Sequence, residues 1–314
     1  MTQNLSLIIP VYNEQDNIKP LVKKILPALD KLHLKNYEIL FIDDGSTDKT
    51  NTRLHKIANK KNKIRVITHK KNFGKATAYS VGFSQAKYDV IITLDGDLQD
   101  DPSEMKKFIN KLNQGYDLVV GWKKQGKGSW NKTILSRFFN IVTNWIFKLD
   151  LHDLDCPFKA YRKEVIKGLK LYSGLYRFIP VFAQSVGFKV TEIEIKNLPR
   201  YSGDSKYGPG RIIRGFLDFL TVVFITRFNL KPMHFFGSLA LISAFTGTLI
   251  LIYLSWLHFQ GQKIGDRPLF QLGTLLEIMS LQFFSIGFIG EMLTRSLIKI
   301  DLEYLIKEEK INQQ

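Results

Sequence analysis

The 314-residue chain has a single cysteine, Cys156, so an internal disulfide framework is excluded. The first residues, MTQNLSLIIPVYNE, lack a basic n-region and a cleavage site, and no signal peptide is expected. No G-x-G-x-x-G follows the first apolar run, and no G-x-x-x-x-G-K-[ST] occurs anywhere, so dinucleotide-binding and P-loop chemistry are not indicated. Between Met233 and Phe259 there is no Lys, Arg, Asp or Glu. About 20 such residues, rising about 1.5 Å each, cross the roughly 30 Å hydrocarbon layer.

Negative charge is also scarce, with 45 Lys+Arg against 29 Asp+Glu and a formal net charge of +16. An excess of this sign suits an anionic partner: nucleic acid, an acidic substrate or a membrane surface. No nucleic-acid recognition motif is present, and the apolar runs favour the membrane. A second run, Phe270–Leu293, follows the short loop QGQKIGDRP and predicts a helical hairpin. Arg211, Arg214, Arg227 and Lys231 precede the first span, and Arg295 and Lys299 follow the second. By the positive-inside rule these flanks, and the large N-terminal domain, belong on the cytoplasmic side of a cell (inner) membrane. The second span contains two acids. Glu291 has Arg295 four residues on; Glu277 has no basic residue in either span, and is expected to face protein, either the first span or a neighbouring subunit.

What is present before Arg211 alternates strand and helix. Apolar runs LSLIIPV, YEILFIDD, IRVIT, YDVIITLD and DLVVGW read as strands; Gln15–Leu34, Thr47–Asn59, Gly74–Ala86 and Pro102–Asn113 read as helices. This pattern predicts an α/β fold with a mostly parallel sheet covered on both faces. Ligands in such sheets bind beyond the carboxyl ends of strands, where PVYNE, DDGSTD and DGDLQDD lie. Arg211–Phe228 has polar residues at Arg211, Arg214, Asp218 and Thr221, one stripe on an apolar helix, and reads as an interfacial helix or a core-packing one.

The stretch DGDLQDDP places Asp95, Asp97, Asp100 and Asp101 within eight residues of an otherwise basic chain, and such charges repel unless something positive sits among them or a helix terminus takes them up. Hard cations such as Mg²⁺ and Mn²⁺ take carboxylates together with substrate phosphates, so Asp95 and Asp97, with the neutral oxygen of Gln99, are candidate ligands. Asp101, Pro102 and Glu104 spell a capping box instead. DDGSTD reads either as a turn with Thr47 or Asp48 capping a helix, or as a nucleotide contact.

Taken in order, LSLIIPVYNE, FIDDGSTDKT, HKKNFGKATA, TLDGDLQDDP, HDLDCPFKAYRKEV, KVTEIEI and SKYG followed by two spans resemble family 2 glycosyltransferases of the GT-A fold. The order is similar to the polyprenyl-phosphate glycosyltransferases, relatives of dolichyl-phosphate mannose synthase and bacterial undecaprenyl-phosphate glucosyltransferases. The resemblance implies an inverting transfer of a hexose, with glucose and UDP favoured, from a nucleotide sugar to a polyprenyl (undecaprenyl) phosphate lipid. A GDP-mannose-dependent mannosyltransferase and a non-catalytic nucleotide-binding membrane scaffold are the alternatives. It implies Pro10, Tyr12, Glu14, Asp44 and Asp95 at the nucleotide, and Asp95, Asp97 and Gln99 on Mg²⁺ or Mn²⁺. It puts Asp153 beside the reacting centre, with Lys159 and Arg162 in the same motif. Arg137 reads as an acceptor-phosphate ligand or a solvated helix position. Arg200 and Lys206 read as lipid-phosphate ligands or as general attraction to anionic lipid. Lys75 reads as substrate contact or surface charge, and Cys156 as a small buried thiol. Synthase-type members often carry an Arg soon after the fifth strand; here Lys123 or Lys124 would have to substitute. The implied organisation is a catalytic domain over 1–210, an interfacial region over 211–231, two transmembrane helices over 232–296 and a tail over 297–314, with a homo-oligomer left open.

Overall fold

The computed structural model describes residues 4–123, 142–144, 146–147, 149–167, 175–199, 211–228 and 231–297. Two compact units divide the chain, the first reaching Asp218 and the second beginning at Phe219.

The first unit is a seven-stranded mixed sheet. Its elements run β1 (Asn4–Val11), α1 (Gln15–Asp30), β2 (Asn36–Asp43), α2 (Thr50–Ala58), β3 (Ile64–Thr68), α3 (Lys75–Gln85) and β4 (Val90–Thr93). They continue with α4 (Met105–Asn113), β5 (Leu118–Lys123), β6 (Lys159–Arg162), a one-turn α5 (Lys163–Ile166), α6 (Ile179–Ser185) and β7 (Val190–Ile195). The strand order is β3-β2-β1-β4-β6-β5-β7. Neighbours are parallel except β6, which runs antiparallel to both β4 and β5.

The sequence dictates most of this. From Leu5 to Val11 every residue of β1 is buried, as a strand covered on both faces requires. α1 buries Ile18, Leu21, Val22, Ile25 and Leu29, one stripe at helical spacing. α3 lies so close to β1 that a Cβ on Gly82 would stand 2.5 Å from Ile8 Cγ2. Register then positions the loops. Val11 is level with Asp43 across β1 and β2, and Thr93 of β4 is level with Lys159 of β6. The segments after β1, β2 and β4 and the segment before antiparallel β6 therefore all leave from one end of the sheet.

In the second unit, α8 (Pro232–Phe259) and α9 (Pro268–Leu297) follow α7 (Arg211–Phe228). Both are long and apolar enough to cross a membrane, and only 11% of each apolar window is buried. Helices from a soluble core would be covered on most faces; these meet along one seam. On α8 the seam carries Ala240, Gly247 and Leu254, a seven-residue repeat of buried positions. A Cβ on Gly247 would meet the Gly273 carbonyl oxygen at 3.1 Å, so the backbones touch through small residues. Across this contact the Thr248 hydroxyl donates to Glu277 Oε1 at 2.7 Å. Glu277 thus faces the first span. Glu291 accepts from Met233 N, 3.3 Å away at the start of α8, where a carboxylate complements the helix dipole. The Arg295 side chain, its sequence-predicted partner, lies outside the described residues.

Candidate active site

The loops after β1 and β2 are tied together before any ligand is considered. Asn13 is left-handed, with φ 52°. Its backbone N–H donates to Ser46 Oγ at 2.9 Å, and its side-chain oxygen accepts from Thr47 N at 2.9 Å. Asp43 shapes the turn by accepting from Ser46 N and Asn51 Nδ2. Asp48 accepts from Thr50 N and Gln15 N. Burial works against the charged form of Asp48, but these bonds outweigh it and hold the carboxyl below its ordinary range. At this end of β1, Pro10 is buried, and Tyr12 and Glu14 are half-buried. Glu14 also starts α1, its carbonyl accepting from Asn17 N and its carboxylate from Asn17 Nδ2.

Asp44 is 4% exposed. It accepts from Phe73 N at 2.9 Å, Gly74 N at 2.8 Å and His69 Nδ1 at 2.8 Å. A carboxylate offers about four acceptor positions. Three of them organise the loop between β3 and α3, so Asp44 ties its own loop to that one, as well as being the acid implied for the base.

Two lysines answer the charge problem of DGDLQDDP. Lys75, the first residue of α3, places Nζ 2.6 Å from Asp95 Oδ1 and 2.8 Å from Oδ2. Lys123, the last residue of β5, lies 2.6 Å from Asp100 Oδ1. Asp100 is fully buried, and its Oδ2 accepts from Asp95 N at 3.3 Å. Burial draws the Lys123 ammonium down, but the Asp100 carboxylate beside it, together with Cys156 and Asp95, outweighs this and holds it above the ordinary lysine value. Burial pushes Asp100 up, and Lys123 opposes only part of that. Lys123 therefore serves the acidic turn itself; Lys124 lies outside the described residues. Asp97 Oδ1 accepts from Gln99 N at 3.2 Å, closing the turn around buried Leu98, which is forced to φ 64°. Such a conformation costs a branched residue of order 1–3 kcal/mol and persists where surrounding structure imposes it. Asp101 caps the next helix, accepting from Ser103 N at 3.0 Å, while the Glu104 carboxylate pairs with Lys107.

The segment leading into β6 closes the site. Burial pushes the Asp153 carboxyl up, and Asp155 pushes it further, against Lys159, Lys123 and a hydrogen bond from Lys123 N. Lys159 is buried and donates to the Cys156 carbonyl; its burial pulls the ammonium down. Burial likewise pushes the Cys156 thiol well up, so it is an unreactive packing group. Arg162 is structural: its guanidinium donates to Leu112 O at 2.9 Å, tying β6 to the last turn of α4. Arg177 pairs with Asp155 at 3.0 Å. His152 stacks on Trp122, with ring centroids 4.2 Å apart, and pairs with Glu192. Arg137, Arg200 and Lys206 lie outside the described residues, as do the side chains of Arg211 and Arg214.

Asp95, Asp97 and Gln99 thus occupy one turn, Asp44 a neighbouring loop, and Asp153 the segment before β6, all from one sheet end. Among the described residues no group of three or more His, Cys, Asp or Glu could hold an ion. Two carboxylates and one amide oxygen on a single turn are the kind of donor set a hard cation would share with substrate phosphates. The sequence reading missed the Lys123–Asp100 pair and left Lys75 open. A signal for Lys75 existed: a cation at a helix N-terminus opposes the helix dipole and needs a counter-ion.

A family model for Glycosyl transferase family 2 matches residues 6–169. Dodecaprenyl-phosphate galacturonate synthase of Rhizobium johnstonii is 35% identical, over 97% of this chain and 92% of that one. Undecaprenyl-phosphate 4-deoxy-4-formamido-L-arabinose transferase of Edwardsiella ictaluri is 32% identical, over 93% of this chain and 89% of that one. Among solved structures, glucosyl-3-phosphoglycerate synthase from Mycobacterium tuberculosis in complex with Mn²⁺, UDP and phosphoglyceric acid aligns with TM-score 0.57 and 18% identity, over 73% of this chain and 81% of that one, a likeness of fold. With the GT-A architecture and the aspartate turn at the end of β4, these matches make the chain a member of glycosyl transferase family 2.

Proposed function

We propose that the protein transfers a sugar from a nucleotide diphosphate sugar to a polyprenyl phosphate, with inversion at the anomeric carbon, on the cytoplasmic face of a membrane spanned by α8 and α9. The observation that carries this reading is a family 2 domain followed, in one chain, by two helices of membrane length. Relatives named for dodecaprenyl and undecaprenyl phosphate align over nearly the whole chain, which supports the lipid acceptor. Their names span a uronic acid and an amino-pentose. Glucose from UDP-glucose is the first donor to assay, and mannose from GDP-mannose the second reading.

In this mechanism the nucleophile is a phosphate oxygen of the lipid, already ionised near neutral pH. The bond from the anomeric carbon to the donor diphosphate breaks, a bond to the lipid phosphate forms, and nucleoside diphosphate leaves. No strong general base is needed. Asp95 and Asp97, with Gln99, would hold Mg²⁺ or Mn²⁺, which neutralises charge on the departing diphosphate. Tyr12, Pro10, Glu14 and Asp44 would receive the nucleoside. Asp153 would orient a sugar hydroxyl and balance positive charge developing on the ring. Arg137, Arg200 and Lys206 would meet the acceptor phosphate.

The test is full-length protein in membranes, given undecaprenyl phosphate and a panel of nucleotide sugars including UDP-glucose, UDP-galacturonate and GDP-mannose. A lipid-phosphate-linked sugar formed from one of them is the expected result. Tight nucleotide binding with no lipid-linked product from any donor would favour a non-catalytic scaffold.

A further inference from the structure

We propose that Lys75 is a displaceable counter-ion that competes with the cation for Asp95, so that cation and nucleotide diphosphate enter the site together. The inference rests on the reading of Asp95 and Asp97 as cation ligands. Its ground is geometric. Lys75 Nζ addresses both carboxylate oxygens of Asp95, at 2.6 and 2.8 Å. A cation ligated by Asp95 needs at least one of those oxygens, and two positive centres cannot share it closely without strong repulsion.

The ammonium is also held from behind. It lies 5.8 Å from the Tyr79 ring centroid and 5.6 Å from that of Tyr176. Tyr79 is buried, and only 23% of the Lys75 side chain and 22% of that of Asp95 are exposed. Screening by solvent is therefore partial, and an ion pair of this kind is worth more than a surface one. Displacing the ammonium strands a cation beside the N-terminus of α3, where the dipole is unfavourable to it. A nucleotide diphosphate brings the anionic oxygens that relieve this. The consequence is coupling: the cation alone faces an occupied carboxylate, whereas cation with diphosphate replaces one ion pair by two.

The experiment measures Mn²⁺ binding to the full-length protein by electron paramagnetic resonance, with and without UDP. Wild type should bind Mn²⁺ weakly alone and more tightly with UDP. Lys75→Met should bind Mn²⁺ alone about tenfold more tightly than wild type, and the further gain from UDP should shrink. Lys75→Gln gives the same reading should Lys75→Met fail to fold. Lys75→Arg, which keeps the cation, should behave as wild type, and adding Asp95→Asn to Lys75→Met should abolish the gain. Unchanged Mn²⁺ affinity in both neutral variants, when wild type binds Mn²⁺ with UDP, overturns the competition and leaves the cation site standing. Absence of Mn²⁺ binding by wild type even with UDP overturns the cation site, and the inference with it.

Discussion

Lys123 at the end of β5 neutralises Asp100 in the turn after β4, Nζ to Oδ1 at 2.6 Å, with Asp100 wholly removed from solvent. The pair joins two strands that are not adjacent, since β6 lies between them. It fixes the turn that presents Asp95 and Asp97. Lys123→Met leaves Asp100 buried without its partner, and should lower stability by about 3–5 kcal/mol. Lys123→Met with Asp100→Leu should recover most of that loss, which a thermal or denaturant melt of the double mutant reads directly. The sign with pH follows from Lys123. Its folded value lies above the ordinary 10.5, so its contribution is fully present below that pH and is lost as pH rises through the folded value. A wild-type melt that holds or improves, relative to the double mutant, as pH rises beyond the ordinary lysine value would contradict this.

Asp97→Ala should leave the fold intact and lower turnover by at least about 10²-fold. Its carboxylate is half-buried, and its contact with Gln99 N closes only a local turn. Chelator should have the same effect on wild type, reversed by added Mn²⁺ or Mg²⁺. Full activity in the variant or in chelator would remove the cation from the mechanism.

Gly45 has φ +70°, and a Cβ there would lie 2.4 Å from the Lys71 carbonyl carbon. Both the left-handed backbone and the clash oppose a side chain. Gly45→Ala should cost at least about 2 kcal/mol and weaken nucleotide binding, because the same loop carries Asp44 and Ser46. Calorimetric titration with UDP checks it; wild-type affinity in a destabilised variant would separate this turn from the nucleotide site.

The parallel half of the sheet was legible because β1, β2 and β4 each contain an unbroken apolar run, 7–11, 39–42 and 90–92, and each is followed by turn residues. The antiparallel β6 was not read as a strand. It spans four residues, KAYR, and opens on a lysine, so no periodicity announces it; long-range pairing with Thr93 and Val120 makes it a strand. Helix starts shifted for a related reason. Thr47 to Lys49 look helical, but Asp48 is used in the turn, and α2 begins at Thr50. The acids of the site were legible from their place after strands. Their counter-ions were not, because Lys75 and Lys123 are distant in sequence from the residues they neutralise, and only the sheet brings them together.

The acid between the two long apolar helices gives the last prediction. Glu277 accepts from Thr248 at 2.7 Å, beside Gly247, whose added Cβ would meet Glu277 Oε1 at 3.0 Å and Leu276 Cβ at 3.2 Å. The hydrogen bond therefore depends on a seam made by small residues. Glu277→Gln keeps an acceptor oxygen for the Thr248 hydroxyl, so hairpin stability should change little and turnover should be preserved. Thr248→Ala with Glu277→Ala, set in a double-mutant cycle, should show a coupling of about 0.6 kcal/mol, the usual size for a hydrogen bond between membrane helices. The hydroxyl can fall back on a carbonyl of its own helix, which keeps this coupling small. Gly247→Leu should cost more than either, because it must push the helices apart against backbone at 3.1 Å. Unfolding of the protein in bicelles or detergent, with each variant also assayed for sugar transfer, orders the three. If Glu277→Gln abolished transfer while the hairpin stayed as stable as wild type, the carboxylate would have a part in the reaction beyond joining the two helices.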